Sequence, residues 1–170
     1  DHGNIAVIKL NRPEKRNALD PETVMMFNEF SEKAKDPKFK AVIVTGDESA
    51  FCGGADITAA ASEDGMGWES VEQALNEGYH VGLNNMIYMD KVVIAAVEGA
   101  CAGIGCAYYL SSDITVMAKS SFFQIGFSKI ALIPDGGSNW LLTKVVGYQQ
   151  AFRMAAEAKR VSAEECQGLG

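Results

Sequence analysis

The sequence predicts an α/β domain built on parallel strands, and three observations lead there. Apolar runs of strand length alternate with segments of helical period. Two of those runs, residues 40–46 and 92–97, empty into glycine-rich loops, "FCGGADI" and "EGACAGIGCA". No repeat and no linker rich in Pro or Ser divides the 170 residues, so one unit with crossover helices between its strands is expected.

In chain order, "IAVIKL" (5–10) reads as a strand and "NRPEKRNAL" (11–19) as a polar loop. Asp20 stands at an N-cap and Pro21 at a first helical position, opening a helix over 20–36 with Val24, Phe27, Phe30 and Ala34 on one face. "KAVIVTG" (40–46) is the next strand. From Trp68 to Asp90 the spacing of Val71, Leu75, Tyr79, Leu83 and Ile87 predicts a second long helix. "KVVIAAVEGACAGIGCAYYLSSDITVMA" (91–118) gives strand, glycine loop, short helix and strand. "SSFFQIGFSKIALIPDGG" (120–137) adds a short strand and a connection, and helices are expected at about 137–146, 148–158 and 162–167.

With 48% hydrophobic and 22% charged residues the chain can bury one sizeable core. Its apolar runs, such as "VVIAAV", fall short of the ~20 residues a bilayer crossing needs. The opening "DHGNIAVIKL" has no basic-then-apolar leader. Net charge is −7, and the 15 basic residues are scattered among 22 acidic ones, which argues against a nucleic-acid surface. Cys52, Cys101, Cys106 and Cys166 form no CxxC pair; reduced thiols in a cytoplasmic compartment are expected. With only His2 and His80 to assist, zinc is not.

Glycines after a strand let backbone approach a ligand closely. A dinucleotide turn fails here, because counting from Gly103 gives G-I-G-C-A-Y with Tyr108 in place of the third glycine, and no GxxxxGK[ST] loop occurs. The loops are either tight turns or a site where two backbone N–H groups converge on an oxyanion. Asp135, in "GFSKIALIPDGGSNW" (126–140), follows the apolar Ile130, Ala131, Leu132 and Ile133, where an ionised carboxylate is disfavoured unless paired. Two readings stand: an exposed cap of the following helix, or a carboxylate of raised pKa that moves protons.

Four segments in this order, "NRPEKRNAL", "AFCGGADI", "VVIAAVEGACAGIGCAYYLSSD" and "FSKIALIPDGGSNWLL", closely resemble the crotonase (enoyl-CoA hydratase/isomerase) superfamily, over residues 5–170. The resemblance implies a crotonase-like ββα spiral core that binds an acyl-CoA thioester. The thioester oxygen, as it becomes an enolate, would be held by the N–H groups of Ala55 and Ile104, the latter a position where the family usually has Gly. It places CoA along Lys15, Arg16, Ala18, Asp56 and Ile57, with Gly103 and Phe127 at the substrate. A homotrimer or hexamer is implied, with no metal and no redox cofactor, and with CoA entering as part of the substrate. A C-terminal helical segment that completes the CoA site in the family would lie beyond residue 170.

Departures from the pattern carry the reaction. Hydratases of this family use two glutamates, whose matching positions here are Ala107 and Phe127. Asp135 matches the acid of the family's phenylacetate-pathway ring-opening isomerases and dienoyl-CoA isomerases, which implies a 1,3-proton shift. His80 matches a water-activating His of the aroyl-CoA dehalogenase branch, so hydrolysis by Asp135 and His80 is a second reading. Acyl-CoA binding without turnover is a third, and hydration by atypical residues a fourth. The stretch "AAASEDGMGWES" (59–70) and helix 68–90 are expected to wall the acyl pocket, where Trp68, Tyr79 and Met86 hint at an apolar acyl group.

Overall fold

The computed structural model describes residues 3–60 and 68–170, with backbone alone at 59 and 60. The strands are β1 (Ile5–Lys9), β2 (Ala41–Thr45), β3 (Ala50–Cys52), β4 (Val92–Val97), β5 (Ala100–Ala102), β6 (Ile114–Met117), β7 (Phe122–Gln124) and β8 (Val161–Ser162). The helices are α1 (Pro21–Lys33), α2 (Ile57–Ala60), α3 (Val71–Gln73), α4 (His80–Ile87), α5 (Gly105–Leu110), α6 (Ser138–Val146), α7 (Tyr148–Glu157) and α8 (Ala163–Leu169). A π-helical segment, Ala74–Tyr79, joins α3 to α4.

After β1 and α1, the chain lays one strand in each of two sheets before crossing over again. One sheet runs β1-β2-β4-β6, all parallel; the other runs β3-β5-β7-β8, parallel except for the β7/β8 pair. Thus β2–β3, β4–β5 and β6–β7 are successive turns of a ββα spiral. The first sheet turns Val42, Val44, Val93, Ala95 and Val97 into the core, and register aligns Ala6, Val42 and Val93 across three strands. Strands β3 and β5 sit inside what the sequence presents as glycine loops, too short for a period-two pattern to announce them.

Two helix faces differ from expectation. On α1 the inward residues are Val24, Phe27, Asn28 and Ser31, with Ala34 beyond its end, while Phe30 is exposed beneath the Lys33 ammonium. The reason is a polar seam. Asn28 donates from Nδ2 to the Gly78 carbonyl (3.0 Å), and Ser31 Oγ accepts from Asn85 (3.0 Å), so polar atoms bind α1 to the next helix. In that helix the π segment adds a residue to one turn and shifts the buried face: Ala74, Gly78, Tyr79, Gly82, Leu83 and Met86 are buried, whereas Val71 and Ile87 are exposed. Most of "AAASEDGMGWES", like His2, lies outside the described residues. No helix among those described is long and apolar enough to cross a membrane. Cys52, Cys101 and Cys106 are buried free thiols, and Cys166 is half-buried and free.

Tyr108 packs edge-on to Phe27 (centroids 4.7 Å apart), and its buried hydroxyl has no hydrogen-bond partner among the described residues. An unpaired buried hydroxyl costs more than the bond it fails to make. Tyr108→Phe is therefore expected to raise unfolding free energy by about 0.5–2 kcal/mol in a urea titration, and a loss of stability would mean that the hydroxyl has a partner in solution.

Candidate active site

The loop after β3 is zipped to residues 16–19. Gly53 N–H donates to Arg16 O (2.9 Å), Leu19 N–H to Gly54 O (2.8 Å), and Asp56 N–H to Leu19 O (2.9 Å). The last two form a parallel bridge between Leu19 and Ala55. In such a bridge the central residue turns its own N–H and C=O away from the partner, so the Ala55 N–H points off the zipper. The loop after β5 is tied to β7, with Gly103 N–H donating to Gln124 O (3.1 Å). Ile104 follows at the N-cap of α5. Neither the Ala55 nor the Ile104 N–H donates to a backbone acceptor among the described residues.

Glycine brings the loops together. Gly54 (φ +104°) and Gly103 (φ +55°) occupy backbone conformations that side chains disfavour, and a Cβ on Gly54 would stand 3.1 Å from Ala102 O and 3.5 Å from Gly103 Cα. Gly136 closes the third side: its Cβ would meet Ile104 Cγ1 at 2.7 Å and Ala107 Cβ at 3.5 Å. Asp135 is thereby set one residue from the side chain of the second N–H donor.

Asp135 does not cap α6. The N-cap is Gly137, without a side-chain bond, and it is the Asp135 carbonyl that accepts from Ser138 N–H (3.0 Å) and Ser138 Oγ–H (2.6 Å). Its carboxylate takes no part in the cap: Oδ1 is buried with no hydrogen-bond partner among the described residues, and burial pushes the pKa from 3.8 up to about 6, opposed by its own backbone N–H. Ala107 and Phe127 are buried and bring no carboxylate.

The other predicted residues are dispersed. Half-buried His80 begins α4, and no hydrogen bond or ion pair joins it to Asp135 among the described residues. Lys15 and Arg16 are exposed on the loop; Lys15 Nζ stands 3.4 Å from Thr58 Oγ1, and Arg16 adopts φ +51°. Ala18 is half-buried and Ile57 exposed at the start of α2. Asp56 is buried and engaged: Oδ2 pairs with Arg12 (3.1 Å), and Oδ1 accepts from Thr58 N–H (3.1 Å) and Oγ1–H (2.6 Å).

Arg12, which the sequence reading passed over, is the clamp of this loop. It reaches Asp20 (3.0 Å), Asp56 (3.1 Å) and the Ala18 carbonyl (2.6 Å). Asp20 and Asp56 are far apart in sequence, so the cation between them shows only once the loops are folded together. Tyr79 was expected on the buried helix face and in the acyl-pocket wall, and its hydroxyl also reaches Leu19 O (3.4 Å), on the Ala55 bridge.

Comparison with known proteins places this geometry. The family model described as enoyl-CoA hydratase/isomerase matches residues 1–170. A probable enoyl-CoA hydratase of Rhodobacter capsulatus is 36% identical over 98% of the chain and 63% of its own length. The 1,2-epoxyphenylacetyl-CoA isomerase of Escherichia coli is 33% identical over 98% of the chain and 64% of its own length. The crystal structure of an enoyl-CoA hydratase from Polaromonas sp. superposes with a TM-score of 0.89, at 32% identity, over 100% of the chain and 66% of that protein. The chain thus spans slightly under two thirds of the length of these relatives.

The desolvated carboxylate makes a measurable linkage. Folded Asp135 keeps its proton to about pH 6 while the unfolded chain releases it near 3.8, so stability falls as pH rises between those values and the deficit stays constant above them. Asp135→Asn is expected to match wild type near pH 3.5 and to exceed it at pH 8 by on the order of 1 kcal/mol, the shift being discounted for partial exposure. Carboxyl ¹³C NMR should show the midpoint near 6; one near 3.8 would mean that water reaches both oxygens.

Proposed function

The chain belongs to the enoyl-CoA hydratase/isomerase family, and from that premise we propose that it moves the double bond of an enoyl-CoA with Asp135 as the single proton shuttle. One observation carries the reading: the Asp135 carboxylate, whose buried Oδ1 has no partner among the described residues, adjoins Gly136, which packs on Ile104, with no second acid at Ala107 or Phe127.

The steps balance with the chain's own groups. A 3-enoyl thioester binds with its carbonyl oxygen toward the N–H groups of Ala55 and Ile104. Ionised Asp135 takes a proton from the α-carbon; the C–H electron pair enters the π system and the oxygen becomes a dienolate. The two N–H groups meet that developing charge, and each such donor is worth about 2.7–4 kcal/mol of transition-state stabilisation. Protonated Asp135 then returns the proton to the γ-carbon, two carbons along, leaving the 2-enoyl thioester. No water is consumed and no further cofactor enters. Hydration would need a second group to activate water, and the relevant positions hold a methyl and a phenyl group.

A pKa near 6 suits both halves of the shuttle, basic enough to accept a carbon-bound proton and acidic enough to give it back at neutral pH. On the CoA side, exposed Lys15 and Arg16 supply the positive charge that phosphates would meet, and Ala18 and Ile57 line the same edge. Asp56 and Gly103 serve by holding the loops, and Phe127 walls the acyl side.

Proton NMR in D2O with a 3-enoyl-CoA tests the reading. Wild type is expected to give 2-enoyl-CoA with deuterium exchange at the α-carbon, and Asp135→Asn to lose at least about 100-fold of that rate. Net 3-hydroxyacyl-CoA from a 2-enoyl-CoA would replace isomerisation by hydration, and CoA release dependent on His80 would replace it by hydrolysis. kcat/KM should rise with pH through about 6, because the base must be ionised to start.

A further inference from the structure

The buried phenol of Tyr79 lies outside the mechanism above, yet it is built into the loop that carries one oxyanion donor. Its backbone is the last residue of the π segment, and three contacts fix that segment. Asn28 Nδ2 donates to Gly78 O (3.0 Å), Trp68 lies so close over Gly78 that a Cβ there would meet the ring at 2.8 Å, and Gly82 leaves no room against Asn28 and Phe27. The Tyr79 ring is held 6.1 Å from that of Trp68. Among the described residues its hydroxyl has one acceptor, the carbonyl of Leu19, a residue with no exposed surface.

That carbonyl is shared with the Asp56 N–H, while the Leu19 N–H binds Gly54 O. Both peptides flanking Ala55 are therefore tied to one residue, and Tyr79 is the side chain that donates to its carbonyl. We infer that Tyr79 is a positioning residue: through Leu19 its hydroxyl sets the place at which the Ala55 N–H meets the thioester oxygen. The phenol stays a donor throughout the neutral range, since burial above all holds its proton on. The inference rests on the oxyanion reading of Ala55 and deepens it.

A probe without an α-proton separates the two. Para-dimethylaminobenzoyl-CoA cannot be isomerised, and its absorbance moves to the red when the thioester carbonyl is polarised. Wild type is expected to bind it with a red shift. Tyr79→Phe, which keeps the ring and its packing, should bind with Kd changed less than about twofold, lose a third or more of the shift, and lower kcat on a 3-enoyl-CoA about three- to ten-fold at nearly constant KM. A full shift with unchanged kcat in Tyr79→Phe would overturn the positioning role. No shift in wild type would overturn the oxyanion reading and this role with it. Should Tyr79→Phe unfold, 3-fluorotyrosine at position 79, with a more acidic hydroxyl on the same ring, is expected to keep the full shift; losing it would also overturn the inference.

Discussion

A Cβ on Gly54 would stand 3.1 Å from Ala102 O, so the loops that leave β3 and β5 can approach as they do only through glycine. The rest of the site depends on that contact. The N–H groups of Ala55 and Ile104 each follow one of the touching glycines by a single residue, so the closeness of the backbones sets the separation of the donors. The second sheet maintains it: β3, β5 and β7 are three residues each, long enough to fix register between the loops, and they anchor that register in the core through Phe51, Cys101 and Phe123.

Backbone contact alone would not hold the first loop, which is attached to a polar, solvent-facing segment. Arg12 supplies what glycine cannot. Asp56 is buried, and its charge is tolerable because the guanidinium reaches it and Asp20 together. Removing Arg12 would take the guanidinium away from the buried Asp56 carboxylate, and breaking a buried ion pair by losing one partner costs about 3–5 kcal/mol, far more than the bridge itself contributes when intact. The ion network thus secures geometry, and one of its partners, Asp20, simultaneously caps α1 by accepting from Thr23 N–H (2.8 Å).

How much of this the sequence disclosed follows from what each signal requires. Strands β1, β2 and β4 carry enough consecutive apolar residues to be read directly, and Asp20–Pro21 announces α1. The short strands β3 and β5 are specified by pairing with each other, which no local pattern reveals. Phe30 was assigned to the core by hydrophobicity, but the seam between α1 and the following helix is built from Asn28, Ser31 and Asn85, whose burial is legible only once their partners are known. The π segment is of the same kind: one extra residue in a turn moves Val71 and Ile87 outward without changing composition. At the site, Asp135 stood out by its apolar neighbours, and the choice between cap and desolvated acid needed the position of Ser138, whose N–H and hydroxyl both take the Asp135 carbonyl and leave the carboxylate unused.

The absence of a second carboxylate bears on Asp135 itself. Two acids sharing such a pocket repel, and the pKa of one is driven well above the value that burial alone produces. Here Ala107 lies against Gly136 and Phe127 is buried nearby in sequence, so desolvation acts without a like charge and the pKa stops at about 6. A lone acid at that value is ionised in most molecules at neutral pH yet holds its proton weakly enough to exchange it with a dienolate. Substituting a glutamate at Ala107 would add a group able to handle water, but it would also pull Asp135 away from the pKa that makes a single shuttle effective. Within this fold, then, the proposed choice between shifting a proton and adding water is an electrostatic one, set by whether the pocket that desolvates Asp135 holds one negative charge or two.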